Sequence, residues 1–217
     1  MSIGGPQPTV PIKLYIVRHG ECERVADGHL QGQTDTPLTR LGVRQAEAAA
    51  DRLASDGLCA VYSSDLSRCV ATAQAIASRH DLPVRPTPLL RECCLGDVEG
   101  RPLTEFEAVY PQEYRKWRED PITNRPPGAE RFEEVIARCR EFLTAIRSEH
   151  GDGGRIAVAA HVGSTSGLIC AAFDLPVRVY LAIHVSNASL SVLELGGRPA
   201  LRLLNDTCHL AQLESRG

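Results

Sequence analysis

The stretch KLYIVRHGE (Lys13–Glu21) runs from an apolar segment straight into two basic side chains. Residues 12–17, IKLYIV, have the apolar and β-branched composition of a buried strand. Arg18 and His19 follow at the position where a turn residue would normally end such a strand. A strand that delivers an arginine and a histidine to its end predicts a binding or catalytic site at that edge of a sheet.

Strand-like and helix-like segments alternate along the rest of the chain. The pattern predicts strands over 58–64, 82–86 and 155–160, helices over 39–55, 65–80, 129–151 and 163–173, and a hairpin over 188–206 that turns at Gly196 and Gly197. In the first helix we expect Val43, Ala46, Ala50 and Leu53 to form the buried face. The alternation predicts an α/β fold, a three-layer α/β/α sandwich with a mainly parallel central sheet.

The length of 217 residues fits a single domain. Residues 1–11, rich in proline and glycine, predict a loose tail. Residues 93–131 are irregular and charged, which predicts a short lid insertion. Within it, Tyr110, Tyr114 and Trp117 recur at helical spacing, and we expect them to pack inside the lid.

Composition narrows the classes of partner. A net charge of −3 gives no long-range electrostatic attraction to nucleic acid or to an anionic membrane. No apolar run is long enough to cross a bilayer. Eight cysteines show no C-x-x-C pair or zinc-ligand spacing, and no secretory signal is visible. We therefore expect reduced thiols, no metal, no cofactor, no nucleic acid or membrane partner, and a cytoplasmic location.

Three predicted strands deliver charged or imidazole side chains to the same edge. Arg18 and His19 end the first strand, Arg68 falls in the first turn after the strand that ends near Ser64, and His161 ends the strand over 155–160. Parallel strands place their carboxyl ends together, next to helix N-termini that favour anions. Two guanidinium groups and two imidazoles at one edge suit a tetrahedral dianion.

Blocks of sequence in a fixed order carry a family resemblance. They are YIVRHGE, GHLQGQTDTPLTRLGVRQA, VYSSDLSRCVATAQAIA, LRECCLGDVEG, PPGAERFEEV and VAAHVGSTSGLI, which run from about residue 13 towards residue 195. In this order they resemble the histidine phosphatase superfamily, and within it the phosphoglycerate mutase-like branch. The resemblance implies a metal-independent phosphomonoesterase acting on a small phosphorylated metabolite.

The resemblance also implies roles for individual residues. His19 would be the nucleophile that forms a phosphohistidine, and Gly20 would let the backbone turn sharply beside it. Arg18 and Arg68 would clamp the phosphate oxygens, with His161 as a further donor, protonated in the complex. Glu92 would be the general acid, which requires a raised pKa.

Other positions carry two interpretations. Gln31 matches a phosphate-contacting glutamine or is a turn residue, and Asn187 orients a loop at the site or satisfies backbone groups. Val162 stands where glycine is frequent and would line the approach to the substrate. Val25 replaces an asparagine that usually touches phosphate in relatives, so that contact is missing or supplied elsewhere.

Three functions remain open at this point. A compact connection from Glu92 to His161 favours a phosphatase over a mutase, because a short lid admits water. A non-catalytic phosphate-binding protein is disfavoured, since the full set of motif residues is present. A cysteine nucleophile is disfavoured because no cysteine stands the required five residues before an arginine. The oligomeric state is left open between monomer and homodimer, and the substrate among several small phosphomonoesters.

Overall fold

The computed structural model describes residues 10–23 and 28–214. The strands are β1 (Ile12–Arg18), β2 (Ala60–Ser64), β3 (Val84–Thr87), β4 (Gly154–Ala160), β5 (Leu190–Leu195) and β6 (Ala200–Asp206). They form one six-stranded sheet in the order β3-β2-β4-β1-β5-β6. Strands β1, β4, β2 and β3 pair in parallel, and β5 and β6 add an antiparallel hairpin beside β1. The predicted mainly parallel sheet is therefore confirmed, including the hairpin.

Helices cover both faces of this sheet. They are α1 (Arg40–Leu53), α2 (Ser67–Ser78), α3 (Leu103–Val109), α4 (Pro111–Glu119), α5 (Phe132–Glu149), α6 (Val162–Phe173) and α7 (Ala211–Glu214). One apolar cluster joins the sheet to α1 and α2, and a second joins its other face to α5 and α6. The predicted α/β/α sandwich is confirmed.

The two faces of β1 show how the sequence builds both clusters. Leu14 and Ile16 point into the cluster under α5 and α6, whereas Tyr15 and Val17 point into the cluster under α1 and α2. All four side chains are buried, as expected of a central strand covered on both sides. Each fully buried aliphatic side chain contributes roughly 1.5–3 kcal/mol through burial. This anchoring fixes the position at which β1 ends.

One prediction about α1 is wrong. Val43, expected on its buried face, is 46% exposed, and Gly42 takes the buried position instead. A Cβ on Gly42 would lie 1.9 Å from the carbonyl oxygen of Glu21, so the helix packs its backbone directly against the segment that follows β1. The close approach turns the buried face of α1 towards Gly42 and leaves Val43 outside.

Residues 93–131 pack around one aromatic side chain. Phe106 of α3 is 1% exposed, and its ring lies 5.4 Å from the ring of Tyr114 and 5.6 Å from that of Trp117 in α4. Tyr110 packs on it from 6.3 Å. The predicted internal packing of these aromatic residues is confirmed, while the role of the segment as a lid stays a prediction.

Two further features can be stated for the described part of the chain. None of its helices has the length and apolar character needed to cross a membrane. All eight cysteines fall inside it and are free thiols. Most of the predicted loose tail, residues 1–9, lies outside the described residues, as do Arg24 and Val25.

Candidate active site

The carboxyl ends of β1 and β4 bring two imidazoles together. Arg18 pairs in register with Ala160, so His19 and His161 follow side by side. The backbone N–H of His19 donates to the carbonyl oxygen of Ala160 at 2.9 Å. The two rings lie 5.0 Å apart at an interplanar angle of 64°. The parallel register alone therefore accounts for the pairing of the two histidines.

The ring of His19 is fixed by a hydrogen bond to its neighbour. Nδ1 lies 2.7 Å from the carbonyl oxygen of Gly20. A carbonyl oxygen only accepts, so Nδ1 carries the proton and Nε2 keeps its lone pair. The pKa of His19 is lowered from 6.5 to about 3, first by burial and then by the positive charges of Arg18 and Arg68. The imidazole is therefore neutral at physiological pH, as a nucleophile requires.

Gly20 and Asn187 hold this histidine rather than lining a cavity. The amide of Asn187 donates to the carbonyl oxygen of His19 at 3.2 Å, which corresponds to the loop-orienting interpretation. Gly20 does not have a positive φ, so a sharp turn is not the reason for glycine there. A Cβ on Gly20 would lie 2.3 Å from the carbonyl oxygen of Gly42. Glycine is required because the start of α1 packs against the backbone at this point.

The two arginines use part of their guanidinium groups on backbone carbonyls. Arg68 is fully buried and donates from Nη1 to Thr34 and from Nη2 to Gly32, both at 2.9 Å. Arg18 donates from Nη1 to Val185 at 2.7 Å. Within residues 10–23 and 28–214, Nε of each arginine is buried without a partner.

Burial also changes the pKa of one of these arginines. It lowers the pKa of Arg18, and the carboxylate of Glu92 partly opposes that shift. The group stays cationic because a guanidinium is not deprotonated in proteins. Two rigid cations with donors to spare indicate an anion-binding floor.

His161 lies fully buried at the N-terminus of α6. Its backbone N–H donates to Ser164 Oγ at 3.0 Å, so that serine caps the helix. Burial, followed by the charges around it, holds the pKa of His161 well below its usual value. This shift favours the neutral ring in the unliganded site, and the protonated form expected in the complex stays a prediction. Its Nε2 lies 3.3 Å from Cys69 Sγ.

Glu92 is held by backbone donors at the start of α6. Its Oε1 accepts from Cys93 N at 2.7 Å and from Gly163 N at 2.9 Å, while Oε2 lies 3.2 Å from Gly163 N. The shorter bonds fall on Oε1, so Oε2 is the less occupied of the two carboxylate oxygens. Arg138 donates to the backbone carbonyl of Glu92 at 3.1 Å and thereby fixes the segment.

These residues border a cavity of about 300 Å³. Arg18, His19 and Glu92 line it, together with Gln31 and Val162. Arg68 and His161 have no exposed surface and are not part of the lining, so they lie behind this floor. Gln31 donates to Thr36 Oγ1 and to Cys22 Sγ, the latter at 3.1 Å, which fixes its amide at the cavity edge.

Further lining residues had no signal in the sequence. Leu95, Phe132 and Tyr180 form much of the apolar wall, and they come from segments far apart in the chain. Leu95 and Phe132 lie inside two of the quoted blocks but were not selected there as site residues, and Tyr180 lies outside all of the blocks. No periodic pattern points to any of the three. His29 and Cys93 also line the cavity. Among the described residues, no three His, Cys, Asp or Glu side chains are grouped so as to hold a metal ion.

The model of the histidine phosphatase superfamily (branch 1) matches residues 14–207. The chain belongs to branch 1 of the histidine phosphatase superfamily. The match covers all the residues described above at the sheet edge, from Arg18 to Asn187. The predicted family is therefore confirmed, and the fold is that of a histidine phosphatase.

Relatives of this chain carry several names. Phosphoserine phosphatase 1 of Hydrogenobacter thermophilus is 32% identical over 202 residues, which cover 93% of this chain and 95% of that protein. "Probable phosphoglycerate mutase GpmB" of Yersinia enterocolitica is 32% identical over 209 residues, with 92% and 95% covered. The structure of mycobacterial glucosyl-3-phosphoglycerate phosphatase superposes with a TM-score of 0.82 at 31% identity, covering 91% of this chain and all of that one (100%).

Proposed function

We propose that this chain is a metal-independent phosphomonoester hydrolase that acts through a phosphohistidine on a small phosphorylated metabolite. The observation that carries the proposal is the state of His19. Its Nδ1 is bound to the Gly20 carbonyl, its Nε2 is free to react, and burial beside two arginines keeps the ring neutral. A neutral imidazole fixed in a cationic pocket is suited to attack phosphorus.

In the first step, Nε2 of His19 forms a bond to phosphorus while the bond from phosphorus to the ester oxygen breaks. Arg18 binds the non-bridging oxygens from the cavity lining and Arg68 from directly behind it. Their fixed charges offset the negative charge of the transition state. Protonated Glu92 gives its proton to the leaving oxygen. The proton comes from Oε2, which accepts only one long hydrogen bond from a backbone N–H. The products are an alcohol and phosphorylated His19.

In the second step, water attacks the phosphohistidine. The Glu92 carboxylate takes a proton from that water, the bond between phosphorus and Nε2 breaks, and its electron pair returns to the imidazole. His161 acts from behind the floor, where a bound dianion would oppose the effect of the surrounding cations and favour its protonated, donating form. Phosphate leaves and Glu92 is protonated again for the next cycle.

Phosphoryl transfer of the mutase type is the second candidate, because the GpmB relative carries that name. The two activities differ in the fate of the phosphohistidine, which water attacks in a phosphatase and a second substrate hydroxyl attacks in a mutase. The segment over 93–131 holds two short α-helices, α3 and α4, and a single 3-10 turn over Gly96–Val98. We infer that this short lid leaves water access to the site and favours hydrolysis. A non-catalytic phosphate-binding protein is the third candidate, disfavoured by the complete set of motif residues.

Release of inorganic phosphate from a panel of phosphomonoesters, with nitrophenyl phosphate included, tests the proposal. The panel contains phosphoserine, phosphoglycerates, sugar phosphates and nucleoside monophosphates. We expect turnover of nitrophenyl phosphate and of at least one metabolite, unchanged by a chelator. Conversion between phosphoglycerates without net phosphate release would favour the mutase, and binding of phosphate without any turnover would favour the binding protein.

A further inference from the structure

Tyr180 is a buried side chain whose hydroxyl has no role in the steps above. It lies in the short 3-10 segment Val177–Ala182 that follows α6, and it is 4% exposed. Its ring stacks on Phe132 with centroids 4.5 Å apart and an interplanar angle of 21°. Its hydroxyl oxygen is buried and finds no hydrogen-bond partner in the part of the chain that the structure describes. The ring is therefore fixed by stacking, while its hydroxyl has no hydrogen-bond partner among the described residues.

The hydroxyl lies beside the carboxylate of Glu92. A Cβ built on Gly163 would be 2.0 Å from Glu92 Oε1 and 2.4 Å from Tyr180 Oη, so both oxygens crowd the same point. Both residues line the cavity. Because Glu92 serves the ester oxygen of the substrate in the proposed reaction, Tyr180 lies on the side of the cavity where the leaving group binds.

A buried hydroxyl without a partner destabilises the folded state, because its hydrogen bond to water is lost and not replaced. Burial raises the pKa of Tyr180 well above its ordinary value, so the group keeps its proton and presents an O–H donor. Phenylalanine would keep the stacking with Phe132 without this penalty. A donor retained at such a position is explained by a ligand that accepts its hydrogen bond.

We propose that Tyr180 determines specificity by donating a hydrogen bond to an oxygen on the carbon next to the ester carbon of the substrate. The substrate class is then the phosphomonoesters of vicinal diols and related polyols. This inference rests on the proposed function and adds the group that the leaving alcohol must carry. A site with a buried donor discriminates against an analogue that lacks the acceptor, because the donor is then left unpaired.

The test compares 1,2-propanediol 1-phosphate with propyl phosphate, which differ by one hydroxyl on the carbon next to the ester carbon. For the wild-type enzyme, we expect kcat/KM to favour the diol ester by about 10-fold or more. In Tyr180→Phe the ratio should fall to about one, because the rate for the diol ester drops while that for propyl phosphate is retained.

Tyr62→Phe is the matched control. Its hydroxyl also sits on a buried tyrosine, but it donates to Glu149 at 2.7 Å at the end of α5 and takes no part in the cavity lining. This variant should keep the wild-type ratio. The control distinguishes the effect of losing any buried tyrosine hydroxyl from the effect of losing the one beside Glu92.

Two results would overturn this inference without affecting the proposed function. An unchanged kcat/KM ratio in Tyr180→Phe would show that the hydroxyl does not discriminate between the two esters. An equal loss for both esters would show that Tyr180 acts only through Glu92. If the wild-type enzyme hydrolyses neither ester nor nitrophenyl phosphate, the proposed function itself is refuted, and this inference falls with it.

Discussion

The floor and the wall of the cavity are built in different ways. On the floor and directly behind it, each motif side chain is held by backbone atoms: His19 by the Gly20 carbonyl, Arg68 by the Gly32 and Thr34 carbonyls, and Glu92 by the N–H groups of two residues. On the wall, apolar side chains such as Leu95 and Phe132 pack without such anchors. The floor is suited to one chemistry, whereas the wall can change with the leaving group.

This difference matches the spread of names among the relatives. Proteins about 30% identical to this chain are named for phosphoserine, phosphoglycerate and glucosyl-3-phosphoglycerate. A fixed floor with a variable wall would allow such a range within one family. Changes to the floor should therefore reduce the rate for every substrate or disturb the chemical step, and changes to the wall should alter only the choice of substrate.

The largest effect is expected at Glu92. Glu92→Gln keeps an acceptor for Cys93 N and Gly163 N but has no proton to give. We expect kcat/KM for an alkyl phosphate to fall by roughly 10³-fold, because an alkoxide is a poor leaving group without an acid. Nitrophenyl phosphate, whose leaving group is stable as an anion, should lose far less. Steady-state kinetics with the two substrates measures the difference.

Glu99→Gln is the control for this prediction. The Glu99 carboxylate also accepts from backbone N–H groups, Gln33 at 2.9 Å and Leu95 at 2.7 Å, but it does not line the cavity. Any loss in that variant should be the same for both substrates. Equal losses for both substrates in Glu92→Gln would remove Glu92 as the general acid.

The next effect is expected at Arg68. Arg68→Lys keeps the positive charge, but a single ammonium cannot bond the carbonyls of Gly32 and Thr34 and also reach phosphate oxygens. We expect kcat/KM to fall by about 10²-fold for all substrates alike. Arg85→Lys changes an exposed arginine paired with Glu149 and should leave the rate unchanged. Activity of Arg68→Lys within a few-fold of wild type would contradict the assigned clamp.

The third prediction concerns stability against pH. The folded pKa of His19 is about 3 and its ordinary value is 6.5, so between these values only the unfolded chain takes up the proton. The stability from His19 is fully present above about pH 6.5 and is lost as the pH falls towards 3. We expect the free energy of unfolding to fall by a few kcal/mol between about pH 7 and about pH 4.

Urea denaturation at a series of pH values measures this dependence. The shift of His161 has the same direction and adds to the fall. His19→Asn removes one of the histidines with a lowered pKa, so the stability of the variant should fall less steeply on acidification. Identical slopes for the variant and the wild type would show that His19 is not held neutral by the fold.

The smallest effect is expected on the wall. Val162→Ala removes two methyl groups from the cavity lining without touching the residues that hold His19. KM for a bulky leaving group should change by no more than about 10-fold, and kcat for nitrophenyl phosphate should stay within about 2-fold. A large loss of kcat on every substrate would place Val162 on the floor instead.

The sequence predicted the floor because its geometry follows from strand order. The end of β1 supplies Arg18 and His19, the end of β4 supplies His161, and a parallel register must place them together. The resemblance added Glu92, which no periodic pattern would have selected.

The packing of the backbone and the residues of the cavity wall could not be predicted from the sequence. The exposure of Val43 and the need for Gly20 both come from the approach of α1 to the segment after β1, which sequence periodicity does not encode. Tyr180 and Phe132 meet through tertiary packing between segments almost 50 residues apart. Contacts of this kind leave no local pattern in the sequence.

The central claim is that Nε2 of His19 carries the phosphoryl group during turnover. Rapid quenching of the enzyme with substrate, followed by mass spectrometry of peptides under alkaline conditions, tests it directly. The account predicts one phosphoryl group on His19 during turnover and none in His19→Ala, whose circular dichroism should match that of the wild type. Turnover by His19→Ala, or a phosphoryl group on any other residue, would contradict it.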